Sequence, residues 1–262
     1  MPIIDAHAHI YPDKIALKAA MGVGAFYGLP MRHDGTVSRL LETGKKAGIH
    51  KFLVHSVATS PAQVQSINNF IANTVLAHAE FIGFATAHQD LENMERELER
   101  AFALGLRGVK LHPDFQRFRI DDPKLDRLYA FLEGRYPLLL HAGDDRYDFS
   151  GPARIANIVK RFPKLDVICA HLGGYTEWDA AGRLLAGRRL WVDTSSSLHF
   201  MSVEKARGLI EAYGEDRVIF GTDYPMWDAA EEMERFDKLN LTEAARGKIL
   251  YKNICGLLNL ML

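Results

Sequence analysis

His7 and His9 stand two residues apart in the opening run Ile3-Ile4-Asp5-Ala6-His7-Ala8-His9. In an extended strand that spacing puts both imidazoles on one face. Adjacent imidazoles repel when protonated and have little reason to pair when neutral, so a shared divalent metal accounts for them well. A lone His-x-His also arises by chance and is a weak signal. The signal grows because His141, His171 and Asp223 each close an apolar run further along the chain, and Lys110-Leu111-His112 closes another. Such groups can ligate a metal, move a proton or hold a charged substrate. Arg146, in the loop after His141, offers a cation for a substrate carboxylate, or is a surface arginine within Asp144-Asp145-Arg146. His55 comes near the end of a second apolar run and Trp227 follows the last one. His33, His50, His78 and His88 fall in loops or helices and receive no role. Ser195-Ser196-Ser197 lacks the G-x-S-x-G elbow of a serine hydrolase. Gly22-Val23-Gly24 lacks the third glycine of a dinucleotide fingerprint.

The elements that position these residues repeat. Apolar runs predict strands at 3–7, 51–56, 81–85, 108–111, 138–141, 167–170, 190–193 and 218–221. Between them lie amphipathic helical patterns. In 91–104 the apolar residues Leu91, Met94, Leu98, Ala101 and Phe102 recur at three-and-four spacing, and glutamates and arginines fill the other face. Asp122-Pro123 reads as an N-cap and first helical residue, and Gly48 and Gly105 as helix stops. Eight strands alternating with helices, apolar on both faces, predict a single-domain (β/α)8 barrel over 1–262. Its chemistry belongs at the carboxyl ends of the strands, where the ionisable residues fall. An open doubly wound sheet is the competing architecture, but its first strand usually leads into a phosphate loop rather than His-Ala-His. The wide first interval leaves an insertion at 12–35, read equally as a lid over the mouth or as a passive segment.

Composition sets the outer bounds. The 262 residues carry 32 Lys+Arg against 33 Asp+Glu, a net charge of −1 that lacks the basic footprint of a nucleic-acid binder. With 48% hydrophobic and 25% charged residues the chain is globular, neither disordered nor collagen-like. Cys169 and Cys255 read as core residues in a reducing compartment. The opening residues do not resemble a secretory signal, and the charge-free stretch 52–79 is too polar to span a membrane. A soluble, cytoplasmic protein with no membrane and no nucleic-acid partner is the expectation.

The segments IIDAHAHIYP, GVKLHP, VICAHLGG and VIFGTDYP, with the set His7, His9, His141, His171 and Asp223, resemble the amidohydrolase superfamily. The nearest branch is that of metal-dependent barrel hydrolases and decarboxylases related to aminocarboxymuconate-semialdehyde decarboxylase. The resemblance runs along essentially the whole chain. It implies one divalent ion on His7, His9, His141 and Asp223, zinc first, with manganese, nickel or iron also suited to imidazole and carboxylate. It implies His171 beside the metal or against substrate, and Lys110 in a substrate-binding or structural role; His112, two residues on and on the same face, and Arg146 are read from their positions as substrate-binding residues. Dinuclear relatives carry a carboxylated strand-four lysine, so Lys110 with a second metal is the minority alternative. Homodimers are frequent in the family.

The activity so implied is hydrolysis of a small, in some cases carboxylated, ester, lactone or amide. Asp223 is then the general base toward a metal-activated water and His171 steadies the developing oxyanion. The alternative is metal-dependent decarboxylation of a small aromatic or unsaturated acid. A third reading is a ligand-binding barrel without catalysis.

Overall fold

The computed structural model describes residues 1–260. Short parallel strands alternate with helices: β1 Ile4–His9, β2 Lys51–His55, β3 Phe81–Gly83, β4 Ala85–Thr86, β5 Val109–Leu111, β6 Leu138–Leu140, β7 Val167–Cys169, β8 Trp191–Asp193 and β9 Val218–Ile219. They pair in parallel in chain order, β1-β2-β3 and β4 through β9. The ring closes where the Ala6 N–H donates to the Phe220 carbonyl and Ala8 bridges Tyr224. This is the eight-unit barrel expected from the strand spacing. The strand expected at 81–85 is in two pieces. At Phe84 the backbone changes partner: its N–H bonds to Val54, and the next N–H, from Ala85, bonds to Gly108. A Cβ on Gly108 would lie 2.5 Å from the Phe84 ring, so that ring needs a glycine beside it.

Alternation sorts the core. Ile4, Ala6, Leu53, Ile82, Phe84, Leu139, Ile168 and Ile219 fill the barrel interior, closed by Ile254 and Leu258 of the last helix, Asn253–Leu258. Val109, Leu111, Leu138, Leu140, Val167, Cys169 and Val192 face the surrounding helices. On β1 the alternation slips. Asp5 pairs with Phe52, but Ala8 pairs with Val54, so β1 spends one more residue than β2 over that interval. Ile4 and Ala6 therefore belong to the interior cluster, whereas Ala8 and Ile10 belong to the outer one. This β-bulge re-aims His7 and His9 into the barrel mouth above the apolar floor.

The pattern at 91–104 folds as a helix over Met94–Ala103, and Gly105, at φ 98, follows it. The Asp122 carboxylate accepts from the Lys124 N–H ahead of the helix Asp126–Leu132. The insertion at 12–35 holds a helix, α1, Asp13–Tyr27, closed by Gly28 in the left-handed region. Among the described residues no helix is long and apolar enough to cross a membrane.

Candidate active site

Three of the four expected metal ligands meet at the mouth. The Nε2 atoms of His7 and His9 are 3.3 Å apart, and Asp223 Oδ1 lies 3.4 Å from the first and 3.5 Å from the second. Four ligands set tetrahedrally at ~2.0–2.1 Å from an ion are ~3.3–3.4 Å from one another. The donor set thus has the chemistry and the separations of a divalent-metal site. Each donor is also held from behind. His7 Nδ1 donates to Asp193 Oδ2 at 2.8 Å, which fixes the tautomer and leaves the Nε2 lone pair facing Asp223. The other Asp193 oxygen accepts the backbone N–H groups of His171 and Ser195, both at 3.1 Å. The Ser196 hydroxyl donates to Asp223 Oδ2, and the Trp227 indole N–H donates to that hydroxyl at 2.8 Å. These bonds turn Oδ1 toward the histidines. His171, Ser196 and Asp223 all have positive φ, a strained backbone of the kind that collects at functional sites.

His141 stands across the pocket. His171 Nδ1 faces the Ser195 carbonyl at 3.0 Å and must donate to it, so His171 Nε2 accepts from His141 Nδ1 at 2.9 Å. His141 Nε2 is then an acceptor, 3.4 Å from the Tyr27 hydroxyl. His112 Nδ1 accepts from the Phe115 N–H, so its Nε2 donates to the Tyr27 oxygen at 3.0 Å. One ordered chain of donors therefore runs from His112 through Tyr27 and His141 to His171. The His112 and His141 rings stack at 3.8 Å, and Asp114 Oδ2 lies 3.5 Å from His141 Nε2.

Electrostatics favour metal-ready states. Burial pushes His7, His9, His112, His141 and His171 below the ordinary imidazole value, His171 to about 4. They are neutral at pH 7, the form that ligates metals. Burial pushes the Asp223 carboxyl up, but the surrounding imidazoles of His7, His9 and His171 outweigh it and hold that group well below the carboxylate range. Lys110 is fully buried with Nζ 3.1 Å from His7 Nε2. Burial lowers its ammonium to about 8 against the opposing pull of Asp193 and Asp223.

The expected substrate residues divide. His112 lines the pocket with His9, His141, His171 and Asp223, walled by Tyr11, Tyr27, Phe115, Tyr175 and Met226. Lys110 sits beneath it against His7. Arg146 is committed elsewhere: it forms a fork on Asp144 at 2.9 and 2.7 Å, and donates to the Phe26 carbonyl at 2.7 Å. It ties the loop after β6 to the end of α1. Tyr27, Asp193, Ser196 and Asp114 are further residues of the site. Asp193 had a signal, since it closes an apolar run as Asp223 and the histidines do. Tyr27 had none, because only the path of α1 brings it over the mouth.

The family model for the amidohydrolases matches residues 4–260. Among solved structures, the chain resembles 5-carboxyvanillate decarboxylase from Sphingomonas paucimobilis (16% identity, TM-score 0.76, 99% of each chain covered). It also resembles a putative 2-pyrone-4,6-dicarboxylic acid hydrolase from Pseudomonas putida (19%, TM-score 0.70, 100% of this chain and 98% of that one). A third is a dihydroxybenzoic acid decarboxylase from Polaromonas sp. JS666 with bound manganese and the inhibitor 2-nitroresorcinol (18%, TM-score 0.71, 98% and 97%).

Proposed function

The chain belongs to the amidohydrolase family, and from that premise we propose that it is a metal-dependent hydrolase of a small ester, lactone or amide. The carrying observation is Asp223, whose Oδ1 completes a donor triangle with His7 and His9 while Ser196 holds Oδ2. Those three residues, with His141 from across the pocket, would hold the ion. A divalent ion bound there supplies Lewis acidity, lowering the pKa of a water and polarising a carbonyl. Asp223, ionised throughout the neutral range, accepts the proton of the attacking water and passes it to the leaving group. His171, its Nδ1 donating to the Ser195 carbonyl, accepts from His141 Nδ1 and so keeps His141 Nε2 as the lone-pair donor for the ion. The Tyr27 hydroxyl, 3.4 Å from that nitrogen, leans over the same space and is the O–H that would turn to the carbonyl oxygen. Among the described residues no lysine or arginine lines the pocket, so a substrate carboxylate would have the bound ion as its cationic partner.

Asp223→Asn tests this role. It keeps the shape and a neutral oxygen donor but removes the base, so turnover on an ester and lactone panel falls by about 10²- to 10⁴-fold while much of the metal stays bound. Undiminished hydrolysis in that variant would remove Asp223 from the mechanism. A second reading, decarboxylation of a small aromatic acid, is favoured by the aromatic walls Tyr27, Phe115 and Tyr175. In that reaction the proton goes to the ring carbon that loses carbon dioxide. Carbon dioxide release from hydroxybenzoic acids, with no ester or lactone cleaved, would select it.

A further inference from the structure

His55 ends β2 and pairs in register with His9. It is fully buried, yet among the described residues neither ring nitrogen has a hydrogen-bond partner. An imidazole used only as filler would be replaced to advantage by an apolar side chain, because a buried polar group without a partner is costly. Its neighbours say what it faces. The His55 ring stands edge-on to His9 at 4.4 Å and to His7 at 5.0 Å between centroids. One nitrogen from each of His7, His9 and His55 lies within 4.8 Å of the other two. Among the described residues no carboxylate reaches it.

We propose that His55 is a further imidazole donor of the metal centre, beside His7, His9 and Asp223. The inference rests on the metal-dependent reading above and deepens it by fixing the kind of ion. An imidazole-rich pocket with one carboxylate favours zinc, nickel, cobalt or iron over magnesium or calcium, which prefer all-oxygen shells. It also explains why strand two ends in histidine when no backbone or side-chain partner is offered to it.

The test uses His55→Leu and His55→Gln in the full chain. Three readings are taken: the melting midpoint of the metal-free protein, zinc affinity by competition with a chromogenic chelator, and the visible absorption of the cobalt-loaded protein. Metal-free His55→Leu is expected to melt at or above wild type, because an unpartnered polar group has gone. Zinc affinity is expected to fall by about 10- to 100-fold or more, since losing even an outer partner of a ligand does that. The cobalt bands are expected to shift in both variants. Zinc affinity within a factor of two of wild type would overturn the proposal. So would weaker binding with unshifted cobalt bands and a lower metal-free midpoint, which is the mark of a structural histidine. A wild-type protein that takes up neither zinc nor cobalt would overturn the metal-dependent reading itself, a distinguishable failure.

Discussion

Asp193→Asn is the substitution whose effect follows most directly from the hydrogen bonds. The carboxylate is buried and divides its work: Oδ2 accepts from His7 Nδ1 at 2.8 Å, and Oδ1 accepts two backbone N–H groups. Burial alone would raise its pKa, but the His7 imidazole that donates to it, His171 and the Ser195 hydroxyl lower it below the ordinary value. An asparagine must keep its oxygen on the two N–H groups, since turning its amide toward them opposes donor to donor. Its NH2 then faces His7 Nδ1 and donates to it. His7 responds by carrying its proton on Nε2, the atom that faces Asp223, and the metal-binding lone pair is lost. Loss of such an orienting carboxylate costs about 10- to 100-fold in metal affinity, or about 1.4–2.8 kcal/mol. The volume is unchanged, so the fold persists. The assay is zinc competition against a chelator on wild type and variant, with circular dichroism to show equal folding and activity measured across added zinc. The expected result is a weaker affinity with partial recovery of activity at high zinc. Equal affinity in the two proteins would refute the assignment of His7 Nε2 as a ligand set by Asp193.

Three further outcomes follow from other residues. Tyr27→Phe removes the hydroxyl between His112 and His141, a bond worth about 0.5–1.5 kcal/mol, so kcat/KM falls by about 2- to 10-fold with little change in melting. No kinetic change would take Tyr27 out of the site. Gly221→Ala puts a Cβ 2.8 Å from His7 Cβ, an atom fixed to the backbone of β1, and overpacking of this kind costs about 1–3 kcal/mol. The melting midpoint should drop by several degrees with metal affinity, and an unchanged midpoint would contradict the close packing of β1 on the turn after β9. Glu232 is fully buried, and burial raises its carboxyl from 4.5 to about 8 against the pull of Arg235. The folded state therefore holds a proton that the unfolded state releases, and stability is lost as pH rises from about 4.5 to about 8, at most about 1.4 kcal/mol per pH unit. Glu232→Gln should remove that slope, measured as the wild-type-minus-variant difference in urea unfolding at pH 5, 6.5 and 8. A difference independent of pH would show that Glu232 does not titrate in this way.

The barrel was legible because each strand is an apolar run and each helix keeps a 3.6-residue stripe, both local signals. What escaped was long-range. The break at Phe84 depends on which neighbour, β2 or β5, takes each N–H. The shared face of His7 and His9 on β1 was anticipated from alternation, but the geometry reaches it through a bulge that places Ile4 and Ala6 inside, below His7. The bulge is visible only once β2 is paired. His7, His9 and Asp223 could be read from residue type at strand ends, whereas the Asp193 partner of His7 lies 186 residues away. Arg146 shows the limit from the other side. Its charge suggested a substrate carboxylate, but Asp144, two residues before it, already holds the guanidinium. His55 was seen at its strand end without a role, because its meaning lies in the partners it lacks.

The central claim is that the triangle of His7, His9 and Asp223 holds a divalent ion. Elemental analysis of protein purified without chelator, beside His9→Ala prepared in parallel, tests it directly. The expected result is about one transition-metal ion per chain in wild type and little or none in the variant. A wild-type chain without metal, or a variant that retains the same metal content, would contradict the account.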